Sequence, residues 1–450
     1  MKSRRLGPLL LSAGLVLGAF SAPASNDAKA SLPFIRDDYP KALAEAKAKK
    51  LPLFVEVWAP WCHSCRSMAA YVFPDPALGK YAPKFIWAAV DIEKAQNATF
   101  RKDFVVEGYP TFYIVDPGDG KIALRWLGGA TVDELRNLLD DGLQTVSADG
   151  EDLLRQGLAK ADRLYGEGKV EESAVAYEET LKLAPKGWRR YGRTVSSLLF
   201  ALQSSKRFEQ GAEAALANYA DLRNTSSAMN LSGIGLDCAI SIPKENPRRA
   251  AAIASLEKCA RETMDNPKVV ASGDDRSGLY LTMIAAREDA GDAETGKALA
   301  VEWSAFLDRE AAKAQTPDAR AVFDAHRLSA YLKQGRPELA IPMLIASEKD
   351  LPDDYNPPAR LVVAYQAMKQ YDLALAAGLR ALAKAYGPRR LVIYRNQADV
   401  LAAMGNLTGA KAMMQTAIAL ASSLPEGQRN EKTLASLQEK LKSLDKPAAP

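Results

Sequence analysis

Two patterns of apolar and polar positions divide the chain. From residue 53 to residue 127, short apolar runs rich in β-branched and aromatic residues are broken by Gly, Pro and Asp. Beyond residue 150, alanine-rich segments carry their apolar positions at helical spacing almost to the C-terminus. Runs of the first kind mark strands buried on both faces. They predict strands over 53–58, 85–92, 111–116 and 121–127, the last two joined through the turn residues Pro117-Gly118-Asp119-Gly120. A helix is predicted over 38–50, and Thr131-Val132-Asp133-Glu134 has the form of a capping box that opens another. Strands interleaved with helices imply an α/β domain, bounded at 31–145.

The second region, 151–440, carries a repeat. Its clearest unit, 161–185, has Gly168 and Lys169 at a turn, Ser173 as the small packing residue, Tyr177 four positions on, and Pro185 closing. Three further units align on the small residue: Tyr331, Gly335, Ala340 and Leu344; Tyr365, Tyr371 and Ala374; Leu401, Gly405, Ala410, Met414 and Ala417. A fainter one surrounds Ile284, Gly291 and Gly296. Ala340, Ala374 and Ala410 are spaced 34 and 36 residues apart, which resembles the period of tetratricopeptide repeats. Each such helix-turn-helix unit buries its apolar face only against its neighbours, so the expected architecture is an all-α solenoid that holds a protein partner. Residues 223–277 show helices without a register, and an irregular all-α domain is the alternative. The tail, 445–450, reads as disordered.

Composition changes this picture at the N-terminus. Lys2, Arg4 and Arg5 precede an apolar stretch over 6–20, and Ala22-Pro23-Ala24 supplies the small residues of a cleavage site, so 1–24 reads as a secretory signal peptide. The stretch falls short of the ~20 residues of a membrane span. The expectation is an exported protein, most simply periplasmic in a Gram-negative bacterium, with no membrane span once the signal is removed. Loss of those three cations takes the formal net charge from +4 to +1. Mixed charges without a basic stripe exclude nucleic acid as the partner.

Candidate chemistry lies just after the first long strand. In Trp61-Cys62-His63-Ser64-Cys65 the first cysteine falls at the expected start of a helix, where unpaired backbone N–H groups and the helix dipole stabilise a thiolate. The second cysteine, one turn on, is close enough to close a disulfide. A zinc site would need a second ligand pair, which Cys238 and Cys259 do not form, and His326 lies deep in the repeat region. Haem attachment would need a histidine where Arg66 stands. A purely structural disulfide is weighed against two more features. Glu56 interrupts an apolar strand, and a buried carboxyl there has the raised pKa that suits proton transfer. Downstream, Gly108-Tyr109-Pro110-Thr111 sets a proline immediately before a strand, where a cis bond could present the preceding residue to a substrate backbone.

In this order (strand with acid, WCxxC, helix, strand, proline loop) the features resemble the thioredoxin superfamily over roughly 35–143. The resemblance implies an α/β thioredoxin-like fold and a thiol-disulfide oxidoreductase acting on protein thiols and disulfides without a cofactor or metal. Cys62 then corresponds to the nucleophile, Cys65 to the resolving thiol, Glu56 to the buried proton acceptor and Pro110 to the cis-proline. Trp61, His63 and Tyr109 would flank a bound substrate. The segment Cys65, Met68, Val72-Phe73 and Asp91 resembles the C-terminal domain of the bacterial disulfide-interchange membrane protein, whereas Ala59-Pro60-Trp61-Cys62 with Gly108-Tyr109-Pro110-Thr111 is similar to protein disulfide isomerases. The pair between the cysteines, His63-Ser64, matches no standard member, so reductase, isomerase and oxidase stay open. The rival is a repeat scaffold whose thioredoxin-like unit serves only to bind. Cys238 and Cys259 lie on successive helices; a simple hairpin offsets them by ~10 Å along the axis, which favours two buried thiols over a disulfide.

Overall fold

The computed structural model describes residues 32–147 and 152–445. The signal expected over 1–24, and all but the first residue of the expected tail, lie outside these. Five strands form one sheet in the order β1-β3-β2-β4-β5. β1 (Phe34–Arg36), β2 (Leu53–Trp58) and β3 (Ile86–Asp91) are parallel, β4 (Thr111–Val115) runs against β2, and β5 (Ile122–Leu127) runs against β4. β2, β3 and β4 are buried along almost their whole length, which is why their sequences read as unbroken apolar runs. On one sheet face Phe54, Trp87 and Phe112 pack with Phe73 and Leu135; on the other Val55, Val57 and Tyr113 pack with Ala42, Phe100 and Phe104.

Local rules set the helices of this domain. α1 (Tyr39–Lys49) starts at Asp38, whose carboxylate accepts the Lys41 N–H at 3.0 Å, and stops at Lys50 in the left-handed conformation. α2 (His63–Ser67) is capped by Cys62 and runs on into a π-helical turn, Met68–Val72. After α3 (Phe100–Asp103), α4 (Val132–Ser147) opens with the expected capping box: Thr131 Oγ1 accepts the Glu134 N–H at 3.2 Å and Glu134 accepts the Thr131 N–H at 2.9 Å.

Sixteen α-helices follow among the described residues. They are α5 (Leu153–Gly166), α6 (Val170–Leu183), α7 (Tyr191–Ser204), α8 (Phe208–Leu222), α9 (Ser227–Ser241), α10 (Arg249–Asp265), α11 (Gly273–Asp289), α12 (Ala293–Lys313), α13 (Pro317–Ala321), α14 (Asp324–Lys333), α15 (Ala340–Asp350), α16 (Asn356–Ala367), α17 (Tyr371–Lys384), α18 (Arg389–Ala403), α19 (Leu407–Ser423) and α20 (Glu431–Ser443). Each helix packs on the next, as in a solenoid. The repeat register holds: Ser173, Ala340, Ala374 and Ala410 are fully buried, and Gly168, Gly335 and Gly405 turn between helices with positive φ. The unit without a turn glycine puts Lys369 in that conformation instead.

The solenoid does not stand apart; it wraps the α/β domain. At its start α5 covers the β5 edge, where the Asp162 carboxylate accepts the Arg125 N–H at 2.9 Å and the Arg125 guanidinium lies 3.5 Å from the Tyr165 ring centre. Its middle covers α2. Its end returns to β3, where the Tyr386 hydroxyl donates to Asp91 at 2.5 Å and Gln428 Nε2 donates to the Ile92 carbonyl at 2.8 Å. The fit there is tight: a Cβ on Gly387 would stand 1.9 Å from the Glu93 carbonyl oxygen.

Candidate functional site

The motif that β2 delivers to α2 has the geometry its sequence implies. Cys62 is the N-cap of α2, its sulfur accepts the Cys65 N–H at 3.0 Å, and the two cysteines are joined as a disulfide. Both are buried, with 5% of Cys62 and 2% of Cys65 exposed. Below them Glu56 sits in the central strand, paired in register with Ala89 of β3 and Phe112 of β4. Burial pushes its carboxyl up to about 8, against the opposing pull of the Arg36 guanidinium. Glu56 and Cys65 face one cavity of about 580 Å³, which Trp58, Arg66, Asp354 and Tyr355 also line. The Tyr109-Pro110 bond is cis. Trp61 donates its Nε1–H to Glu93 at 2.7 Å and meets Tyr109 edge-on, with ring centres 5.4 Å apart.

Residues 35–117 match the family of thioredoxin-like proteins. Within this thioredoxin-like domain the chain is 30% identical over 82 residues to the thiol:disulfide interchange protein DsbD of Pseudoalteromonas atlantica, covering 18% of this chain and 14% of that one. It is 32% identical over 95 residues to the chloroplastic thioredoxin-like protein CITRX of Oryza sativa subsp. indica, covering 21% of this chain and 48% of that one. The chain thus spans less than half the length of either relative. A tetratricopeptide repeat protein from Parabacteroides merdae aligns with 64% of this chain and 98% of its own, at 7% identity and a TM-score of 0.41.

What the motif alone did not announce is the company it keeps. Three turns of the solenoid close over the thioredoxin-like domain's α2. His63 Nδ1 lies 2.8 and 2.9 Å from the two carboxylate oxygens of Asp274 in α11, and Ser64 donates to the same carboxylate at 2.9 Å. Arg66 pairs with Asp354, and Asn356 Nδ2 donates to the Pro60 carbonyl at 3.1 Å. The ring of His326, in α14, stands 4.1 Å from that of His63. Burial alone would lower the His63 pKa, but the charge and hydrogen bond of Asp274 outweigh it and leave the imidazole above its ordinary value. Burial pushes His326 down to about 3, with the neighbouring His63 adding to the effect. So His63 and Trp61, expected to flank substrate, are engaged by the chain's own residues. The one sequence signal that pointed here is that the protein has two histidines in all, and they meet.

Cys238 and Cys259 are free and buried, as the helical-hairpin argument favoured, and burial pushes their thiols up to about 12 and about 11. Neither is a candidate nucleophile.

Proposed function

We propose that the protein is an exported, periplasmic thiol-disulfide oxidoreductase. The observation that carries this reading is Cys62 at the N-cap of α2 with a buried carboxyl facing its partner cysteine across a shared cavity. In the reaction, the Cys62 thiolate attacks a substrate disulfide, one substrate sulfur leaves as thiolate, and a mixed disulfide forms. Cys65 then attacks Cys62 Sγ and releases the second substrate thiol. Glu56, with a pKa close to that of a thiol, takes the Cys65 proton and returns it to solvent through the cavity. The export reading is supported by the leader pattern of residues 1–24.

The repeats bind a protein partner on this reading, but on their outward side. Exposed apolar residues Val175, Val301, Ile345, Leu373 and Leu379 lie on the second helices of their pairs, while the opposite side holds the thioredoxin-like domain. Burial of the cysteine pair favours the second reading, a repeat scaffold in which the thioredoxin-like unit serves only to bind. Cys65→Ala separates the two. In the full-length chain it accumulates disulfide-linked clients through Cys62, because attack is kept and resolution lost, and adding Cys62→Ser removes them. A full-length Cys65→Ala protein that captures nothing supports the scaffold.

A further inference from the structure

The cluster beside the redox pair carries more than a hydrogen bond. His63, Asp274 and His326 each offer one ligand atom, and the three atoms lie within 4.8 Å of one another. We infer that these three residues form a divalent transition-metal site, of the kind that takes Zn²⁺, joining the CxxC motif to the solenoid. Two imidazoles and a carboxylate are a donor set for zinc and its first-row neighbours, whereas magnesium and calcium prefer oxygen alone. Cysteine spacing gave no zinc site; the fold assembles a different set, bringing His63 to Asp274, 211 positions further along the chain, and to His326 beyond it.

Three observations support it independently. The site gathers every histidine of the sequence. Asp274 and His326 are almost wholly buried, at 2% and 6% exposure, on α11 and α14, which both pack on α12, while the His63 side chain is 34% exposed. Ligand atoms bound at about 2.0–2.2 Å must draw closer than 4.8 Å, and His63 is the least buried of the three. Finally, His326 has an outer partner. Its Nδ1 lies 2.6 Å from Ser277 Oγ, which also accepts the Trp303 Nε1–H at 2.7 Å. In the tautomer that donates from Nδ1 to that oxygen, the Nε2 lone pair is left for a metal, the arrangement that orients a ligating histidine; the opposite tautomer, with Ser277 donating, leaves Nε2 protonated. The nearby Arg360 guanidinium opposes a cation, but it faces the Asp324 and Asp354 carboxylates, and Asp275 adds a second acid next to Asp274.

The test uses the full-length protein with its cysteine pair oxidised, so that those thiols cannot bind. After dialysis against Zn²⁺ the metal content is measured by mass spectrometry, and Co²⁺ supplies a visible spectrum that reports the donor set. One equivalent of zinc is expected, retained in Cys62→Ser/Cys65→Ser and lost in Asp274→Asn and His326→Gln. Ser277→Ala is expected to weaken binding roughly 10-fold. Should the buried substitutions impair folding, His63→Gln, at the exposed end, must lose the metal in a protein with an unchanged circular dichroism spectrum. No uptake by the folded wild type, or equal uptake by His63→Gln, overturns the site and leaves only an ion pair between His63 and Asp274.

Discussion

At β5 the solenoid closes an open sheet edge, and at α2 it covers a reactive pair; the two seams are made of different material. The β5 seam is dense and centred on charge that has no route to water. Asp162 is fully buried and receives the Arg125 N–H, the Tyr177 hydroxyl at 2.6 Å and the Arg193 guanidinium at 2.5 Å. The α2 seam is polar, built from contacts by Asp274, Asp354 and Asn356, and a cavity of about 580 Å³ opens beside Asp354. An edge strand must be shielded permanently to prevent pairing with other chains, whereas a redox pair must be reached. The first seam is thus built as glue, and the second, on the proposed redox role, is a cover that must lift.

The largest effect that tests this contrast is Asp162→Ala. It strands Arg193 without its buried partner and should lower the unfolding free energy by about 3–5 kcal/mol, read by urea denaturation. A loss below about 1 kcal/mol would mean that the β5 seam is not the anchor. At the other seam, Asp354→Ala removes the partner of Arg66 and leaves that guanidinium facing Arg360. A charge-assisted hydrogen bond contributes about 1.5–3 kcal/mol, so opening should rise roughly 10-fold or more, and a small thiol should reduce Cys62–Cys65 faster by that factor. An unchanged reduction rate would show that the pair is reached without lifting the cover.

A third effect appears against pH. The folded pKa of Glu56 stands above its unfolded value of 4.5, so the folded state holds this proton more tightly and the residue costs stability as pH rises from 4.5 to about 8. Glu56→Gln escapes that cost. Its stability relative to wild type should climb across this window and level off above it, while resolution of the mixed disulfide slows. A difference independent of pH would place the carboxyl in a solvated setting.

How much of this could be read beforehand depends on the range of the forces involved. Strands β2 to β5 were legible to within a residue or two because burial on both faces forces apolar runs. β1 was not: three residues carry no period, and Phe34–Arg36 joins the sheet only through its pairing with β3. Cys62, Cys65, Glu56 and Pro110 announced themselves because each is fixed by its own segment. The seams left no such mark. Asp274 sits in a stretch that showed no register, and its meeting with His63 depends on the summed turn of every helix pair between them. A repeat period reports that helices stack, and says nothing of what the stack encloses.

The order of the chain gives the cover a place in time. During synthesis the thioredoxin-like domain leaves the ribosome first, and its β5 edge gains α5 soon afterwards. The cysteine pair waits far longer, because Asp274 follows His63 by 211 residues and Arg66 meets Asp354 only 288 residues on. Until then a newly made chain presents Cys62 and Cys65 bare to whatever oxidant its compartment holds.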